Sequence, residues 1–454
     1  MRQRILWLLI VTLALTLGSS GGTGASFRVP VEYHKLDNGL KVVLSPDHTA
    51  PIVVVAVYYN IGFRLEPRNR TGFAHLFEHM MFQGSTNLEK GGFFRLIQGQ
   101  GGVFNGSTRF DFTNYFEILP AHKLETALWA EADRMKGLDI SQENLKNQQG
   151  VVVNEVKVNV LNQPYGSFPW LDMPQLANEN WPNAHNFYGD LRDIEAATLE
   201  NVRDFFKAYY APNNAVLVVT GDFLPDQALA MIKKHFGGII PPARPEFPDI
   251  AEPRQEKEKV FSKDDPLANK PAMALAYHLP ERLSPEYFAM GLLDQILLKG
   301  DDSLLYQALV KKEGLTGSLS GGTNLLGNMF NYKGPMLWTA YLFYDDKTSS
   351  EKIISAFDSV IEEVRTNPLS REALDTALVK MRAGLYDTIG GLYGFGCADL
   401  LACFALFDDN PAAINGLEEK FKAVTPELLL RTAQEFLRPS NRTILTIHPK
   451  KAAQ

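Results

Sequence analysis

At 454 residues the chain is too long for one ordinary hydrophobic core, so two or more domains are expected. Its 45% hydrophobic and 21% charged residues exclude a disordered or multi-spanning chain. A net charge of −7 without any basic block argues against a nucleic-acid partner.

Residues 1–25 read as an export signal, with Arg2 and Arg4, an apolar run from Ile5 to Leu17 and small residues ending at Ala25. The run is short for a bilayer, which favours cleavage near Ala25 over a retained anchor and leaves no stable membrane span. Losing two arginines and no acid takes the charge from −7 to −9. The mature chain is therefore expected outside the cytoplasm, in a bacterial periplasm.

The first predicted domain covers residues 26–240. From Tyr33 to Gly62 the pattern is strand, turn, strand: Leu40 to Leu44 after the turn pair Asn38-Gly39, then the β-branched run Ile52 to Tyr59. An apolar helix follows, with Thr71 as its expected N-cap and Gly84 as its end. It carries His75-Leu76-Phe77-Glu78-His79. Two histidines four residues apart on a helix lie one turn from each other on one face, so both rings can reach one metal ion. Glu78 shares that turn and can reach a water on the same ion without being a ligand.

Next come a glycine-rich turn at Gly99, Gly101 and Gly102 and a strand over Phe110 to Leu119, then helices over 121–136 and 142–161. The second of these carries Glu155 beside an apolar stripe of Leu145, Val152, Val156 and Val160. A catalytic zinc takes three protein ligands and keeps one position open, and Glu155 is the candidate third ligand. Taken alone it reads as a solvated glutamate on a helical face. A helix near 198–209, a strand over Ala215–Thr220 and a helix near 225–236 complete the domain.

Residues 241–262, rich in proline and then in alternating Glu and Lys, read as an extended linker to a second domain over 263–454. That domain is a worn copy of the first. Phe73 to Gly84 aligns without gaps on Ala289 to Gly300, which sets His75 against Gly291, Glu78 against Asp294 and His79 against Gln295. Ser141 to Glu155 corresponds to Ser370 to Gly384. The expected fold class is α+β: two homologous domains, each a sheet with helices packed on one face, joined by a Pro-rich, charged linker. Cys397 and Cys403 lie in an apolar helical segment, too far apart for an easy disulfide and too few for a zinc site. Gly390 to Gly396 lacks the lysine of a phosphate loop and reads as a bent helix.

The string H-x-x-E-H with a glutamate 76 positions after the second histidine resembles the pitrilysin/insulinase family of inverted-motif zinc peptidases, which includes the mitochondrial processing peptidase. The resemblance extends from Leu36-Asp37-Asn38-Gly39-Leu40 through His185-Asn186-Phe187-Tyr188-Gly189 and Tyr210-Ala211-Pro212-Asn213-Asn214 to the repeat. It implies His75, His79 and Glu155 as ligands of one zinc per chain and Glu78 as the base that activates water. It also implies that a peptide or small unfolded protein adds as an extra strand along a sheet edge near Gly102 to Phe116, with Asn105 touching its backbone. Asn105 reads equally as a turn residue.

Two positions depart from the family pattern. Members that act alone carry an arginine and, seven residues later, a tyrosine in the second half; Val310 and Gly317 stand there, and neither donates a side-chain hydrogen bond. A homologous subunit carrying that pair is therefore expected as a partner, in a heterodimer whose halves enclose a chamber. Lys311 is a weaker substitute because it is not a bidentate donor. Gln148, two turns before Glu155, stands where the family has a second glutamate, so it is expected beside the ligands without bringing a charge. The function expected is an exported zinc metalloendopeptidase subunit; the alternative is a non-catalytic structural or assembly subunit of the same family.

Overall fold

A computed structural model describes residues 28–450, so the signal expected over 1–25 lies outside the described residues. The first half holds β1 (Glu32–Lys35), β2 (Lys41–Pro46), β3 (Ile52–Tyr59), β4 (Val103–Thr108), β5 (Thr113–Pro120) and β6 (Ala215–Gly221), in the order β1-β2-β6-β3-β5-β4. The second half holds β7 (Lys259–Asp265), β8 (Ala272–His278), β9 (Thr316–Thr323), β10 (Leu337–Tyr344) and β11 (Arg442–Pro449), in the order β7-β11-β8-β10-β9. From β2 and from β7 onward the two orders are the same. Each sheet has its parallel pair at the same place, β2 with β6 and β7 with β11, and the remaining pairs are antiparallel. The repeat read from the sequence is thus a repeat of topology, with β1 added at one edge.

Side chains alternate across each strand, and here both sides are buried. Val53, Val55, Val57 and Tyr59 of β3 face the helices of their own half. These are α1 (Phe73–Met80), α2 (Leu124–Lys136), α3 (Gln142–Val156), α4 (Leu199–Tyr209) and α5 (Pro225–Phe236). Val54, Ala56 and Tyr58 face the other way, into a core shared with the second half. That half supplies α6 (Pro285–Leu297), α7 (Arg371–Gly390) and α8 (Phe395–Asp408), and α8 crosses the first sheet over β2, β3 and β6. The exchange is reciprocal: Phe168, Met173 and Ala177 of the first half cover Ala272, Ala274 and Ala276 of β8. Helices of one half pack on one face of each sheet as expected, and the other half covers the opposite face.

Three expectations change. The strand expected over Phe110 to Leu119 begins only at Thr113, as β5; Phe110 to Phe112 lie in the turn that joins it to β4, a strand the sequence pattern did not mark. Phe110 and Phe112 keep the apolar alternation going through the turn, which hides the break. The linker is shorter than 241–262, because Lys259 to Ser262 pair with Thr443 to Thr446 as part of β7. Charged residues are tolerated in that strand because it lies at the sheet edge with most side chains exposed. Helix α3 gives way at Lys157 to wider turns that run to Leu161. Between α7 and α8 the glycine-rich stretch is a 61° bend, in keeping with a bent helix.

A buried ion pair ties the halves together at the turn between β4 and β5. Arg64 Nη1 donates to both oxygens of Asp111 at 2.8 and 2.9 Å, and its Nη2 donates to Pro335 O at 2.6 Å. Asp111 also accepts from the backbone N–H of Lys333 at 2.7 Å. Both side chains are 1% exposed, so removing one leaves a buried charge without a counterion. Asp111→Ala is expected to cost about 3–5 kcal/mol in urea unfolding; a loss under about 1 kcal/mol would mean that the pair does not hold the halves.

Candidate metal centre

Helix α1 is only eight residues long, too short to persist by its own propensity. Phe73, Leu76, Phe77 and Met80 anchor it in the core of the first sheet, which turns His75 and His79 toward α3. Its start is fixed by a side chain from outside the helix. Glu66, fully buried, accepts from the backbone N–H groups of Gly72 at 2.8 Å and Ala74 at 2.7 Å, so two of the free amides and the positive end of the helix dipole meet one carboxylate. Burial pushes the Glu66 carboxyl up, while His185, 3.7 Å away, and the two amides pull it down.

Thr71 is not the N-cap. Gly72 holds that position at φ 83°, a left-handed conformation that favours glycine, and a Cβ there would lie 2.5 Å from Tyr188 O. The Thr71 hydroxyl instead donates to Asp193 at 2.6 Å and accepts from the Asp190 N–H at 2.8 Å. It therefore pins the loop that carries His185 to Gly189 against the helix start.

The two imidazole rings are 4.9 Å apart and nearly perpendicular. Glu155 enters from the penultimate residue of α3: its Oε1 is 3.5 Å from His75 Nε2 and its Oε2 is 3.2 Å from His79 Nε2. One ligand atom from each of the three lies within 4.8 Å of the others. Ligands at about 2.0–2.2 Å from a tetrahedral zinc are separated by about 3.3–3.5 Å, so the donor set and its spacing fit that ion. The two imidazoles hold the Glu155 carboxyl well below the usual carboxylate range. His75 Nδ1 is buried without a hydrogen-bond partner among the described residues.

Glu78 is half-exposed on the same turn. Its Oε2 accepts from Thr108 Oγ1, at the end of β4, at 2.6 Å, which aims the carboxylate and leaves its other oxygen available. Two contacts the sequence reading missed, Thr108 and Glu66, come from segments with no local mark of a role. Asn105 lies within β4, opposite Phe116, and its Oδ1 accepts from the Gly106 N–H at 2.9 Å. It is an exposed strand residue on the outer edge of the sheet, not a turn residue. Gln148 is buried two turns before Glu155 and donates to Asn147 Oδ1 at 2.7 Å; among the described residues no hydrogen bond joins it to His75, His79 or Glu155.

The second half keeps the same pair of helices without the donors. In α6, Gly291 and Gln295 stand at the histidine positions, and Asp294 is buried, accepting from Trp338 Nε1 at 2.7 Å. Gly384 replaces Glu155 on α7, whose N-cap Ser370 matches Ser141 of α3. Lys380, one turn earlier, donates to Gln295 O at 3.2 Å and Lys299 O at 2.5 Å. An ammonium thus bridges the two helices at the second site.

The chain is similar to known proteins in sequence and in fold. The family model "Insulinase (Peptidase family M16)" matches residues 41–171, the stretch that holds His75, Glu78, His79 and Glu155. The model "Peptidase M16 inactive domain" matches residues 196–380. The chain belongs to the insulinase family of peptidases, family M16. Among its relatives is the zinc protease PqqE of Helicobacter pylori, 26% identical over 98% of this chain and 99% of that protein. The β subunit of the mitochondrial-processing peptidase of Bos taurus is 24% identical over 52% of this chain and 48% of that protein. A crystal structure of a protease from Helicobacter pylori has the same fold, with a TM-score of 0.85 at 24% identity over 93% of this chain and 100% of that one. The periplasmic protease PqqL of Escherichia coli gives a TM-score of 0.75 at 18% identity, covering 93% of this chain and 48% of that chain.

Removing the Glu66 carboxylate leaves two buried amides unpaired. Glu66→Ala is expected to lower stability by about 1–3 kcal/mol and to weaken zinc binding, read by thermal unfolding and by metal titration. Unchanged zinc affinity would mean that α1 is positioned without it.

Proposed function

We propose that the chain is an exported zinc-dependent metalloendopeptidase subunit that hydrolyses peptides or small unfolded proteins. In this reading His75, His79 and Glu155 hold one zinc per chain, and Glu78 is the general base. The observation that carries it is the spacing of the three donors, 3.2 and 3.5 Å between imidazole and carboxylate, with a fourth group aimed from the same helical turn. Bound zinc would supply an acidified water, with a pKa of about 7, and an electrophile for the scissile carbonyl. Glu78 would act as the general base, taking a proton from the attacking water and giving it to the leaving amine.

Substrate adds along β4, which has β5 on one side and, among the described residues, no strand on the other. Main-chain pairing at such an edge is tolerant of side-chain identity, so a broad range of extended peptides fits. Asn105 lies on that edge. Val310 and Gly317 leave this chain without the arginine and tyrosine, and a homologous partner subunit supplies them. The relative that is a β subunit, and the PqqL chain about twice as long as this one, support such pairing. The amino-terminal pattern and the periplasmic location of PqqL support export to the periplasm.

The same two positions favour the second reading, a non-catalytic assembly subunit, which the intact donor set opposes. Zinc content and hydrolysis of an unstructured fluorogenic peptide separate them. Glu78→Gln is expected to keep one zinc per chain and lose at least about 100-fold in turnover; undiminished turnover in that variant would overturn the assignment. Zinc-loaded chain that stays inactive even beside a homologue carrying the pair would favour the assembly role.

A further inference from the structure

Tyr188 is an aromatic hydroxyl at the metal centre to which the reading above gives no part. Its ring stands edge-on to His75, with centroids 5.1 Å apart, and edge-on to Trp170 at 5.7 Å. Its backbone is fixed to the start of α1. The Tyr188 N–H donates to Asn186 Oδ1 at 2.9 Å, and a Cβ on its neighbour Gly189 would lie 2.2 Å from the Gly72 nitrogen. The side chain is half-buried, yet its hydroxyl reaches solvent and has no hydrogen-bond partner among the described residues. Burial and then the charges of Glu155 and Glu78 push its phenol up, against the opposing pull of Arg109.

Thr108 Oγ1 is committed to Glu78, and Arg109 Nη1 donates to Thr108 O at 3.2 Å. A held ring with a free, accessible hydroxyl beside a metal-binding imidazole has the form of a hydrogen-bond donor waiting for a ligand.

Resting on the peptidase reading, we propose that the Tyr188 hydroxyl donates a hydrogen bond to the scissile carbonyl oxygen as that oxygen gains negative charge. It supplies from within this chain a donor of the kind that Val310 and Gly317 cannot. The partner's arginine and tyrosine then add to a centre that already has one donor of its own. Such a group acts on the reacting carbonyl and leaves zinc affinity alone, because the ring contact with His75 does not need the hydroxyl.

The test is the affinity of a phosphinic peptide, whose tetrahedral anionic phosphorus group mimics the carbonyl under attack, for the zinc-loaded chain and for Tyr188→Phe. Phenylalanine keeps the ring against His75 and removes only the hydroxyl. The expected result is one zinc per chain in both, equal zinc affinity, and a Kd for the phosphinic peptide weaker by about 10- to 100-fold in the variant. Acetohydroxamate, which needs only the metal, is expected to bind both equally. Phosphinic-peptide affinities within threefold of each other would overturn the role of Tyr188 and leave the peptidase reading standing. No phosphinic-peptide binding to either protein, with zinc in place, would overturn both.

Discussion

The carboxylate of Glu66, buried at the first turn of α1, is the contact on which the metal centre depends. An eight-residue helix carrying two imidazoles and a carboxylate has little reason to persist by itself, and it has no side-chain cap of its own. Glu66 satisfies two of its free amides and meets the positive end of its dipole. Around that carboxylate the loop with His185 and Tyr188 closes, with Gly72 and Gly189 allowing the backbones to touch and the Thr71 hydroxyl holding Asp190 and Asp193. The direction in which His75 and His79 point follows from where the helix starts, so a carboxylate nine positions before His75 decides the geometry of the site.

The two halves differ in what fills the space between matched helices. In the first, two imidazoles and a carboxylate converge at distances that suit a divalent cation. In the second, Lys380 reaches backbone carbonyls of α6 and the following turn, and Asp294 is occupied by Trp338. A lysine bonded to carbonyl oxygens holds two helices together without metal, which is all the second half needs for packing. Because each half also covers the free face of the other's sheet, losing the metal site there need not loosen the fold.

Much of this was legible in the chain. The run Ile52–Tyr59 and the helix over 225–236 appear with the boundaries the sequence suggested, because β-branched density and a proline at the helix start are local signals. The H-x-x-E-H turn and Glu155 do come together, since helical spacing and the family pattern both point that way. What could not be read is set by contacts across long stretches of sequence. Glu66 took the capping role that Thr71 seemed fit for, Thr108 reached Glu78 from the end of β4, a strand the sequence pattern did not mark, and Asp111 ties the turn before β5 to the other half. No spacing rule marks residues that meet only after the sheet has formed.

The most direct test of the account is the position of zinc by anomalous scattering at the zinc absorption edge in crystals of the zinc-loaded chain. One strong site per chain is expected, with His75 Nε2, His79 Nε2 and a Glu155 oxygen at about 2.0–2.2 Å, and no site between α6 and α7. Zinc bound elsewhere, or a fully loaded solution that leaves those three side chains without metal, would contradict it.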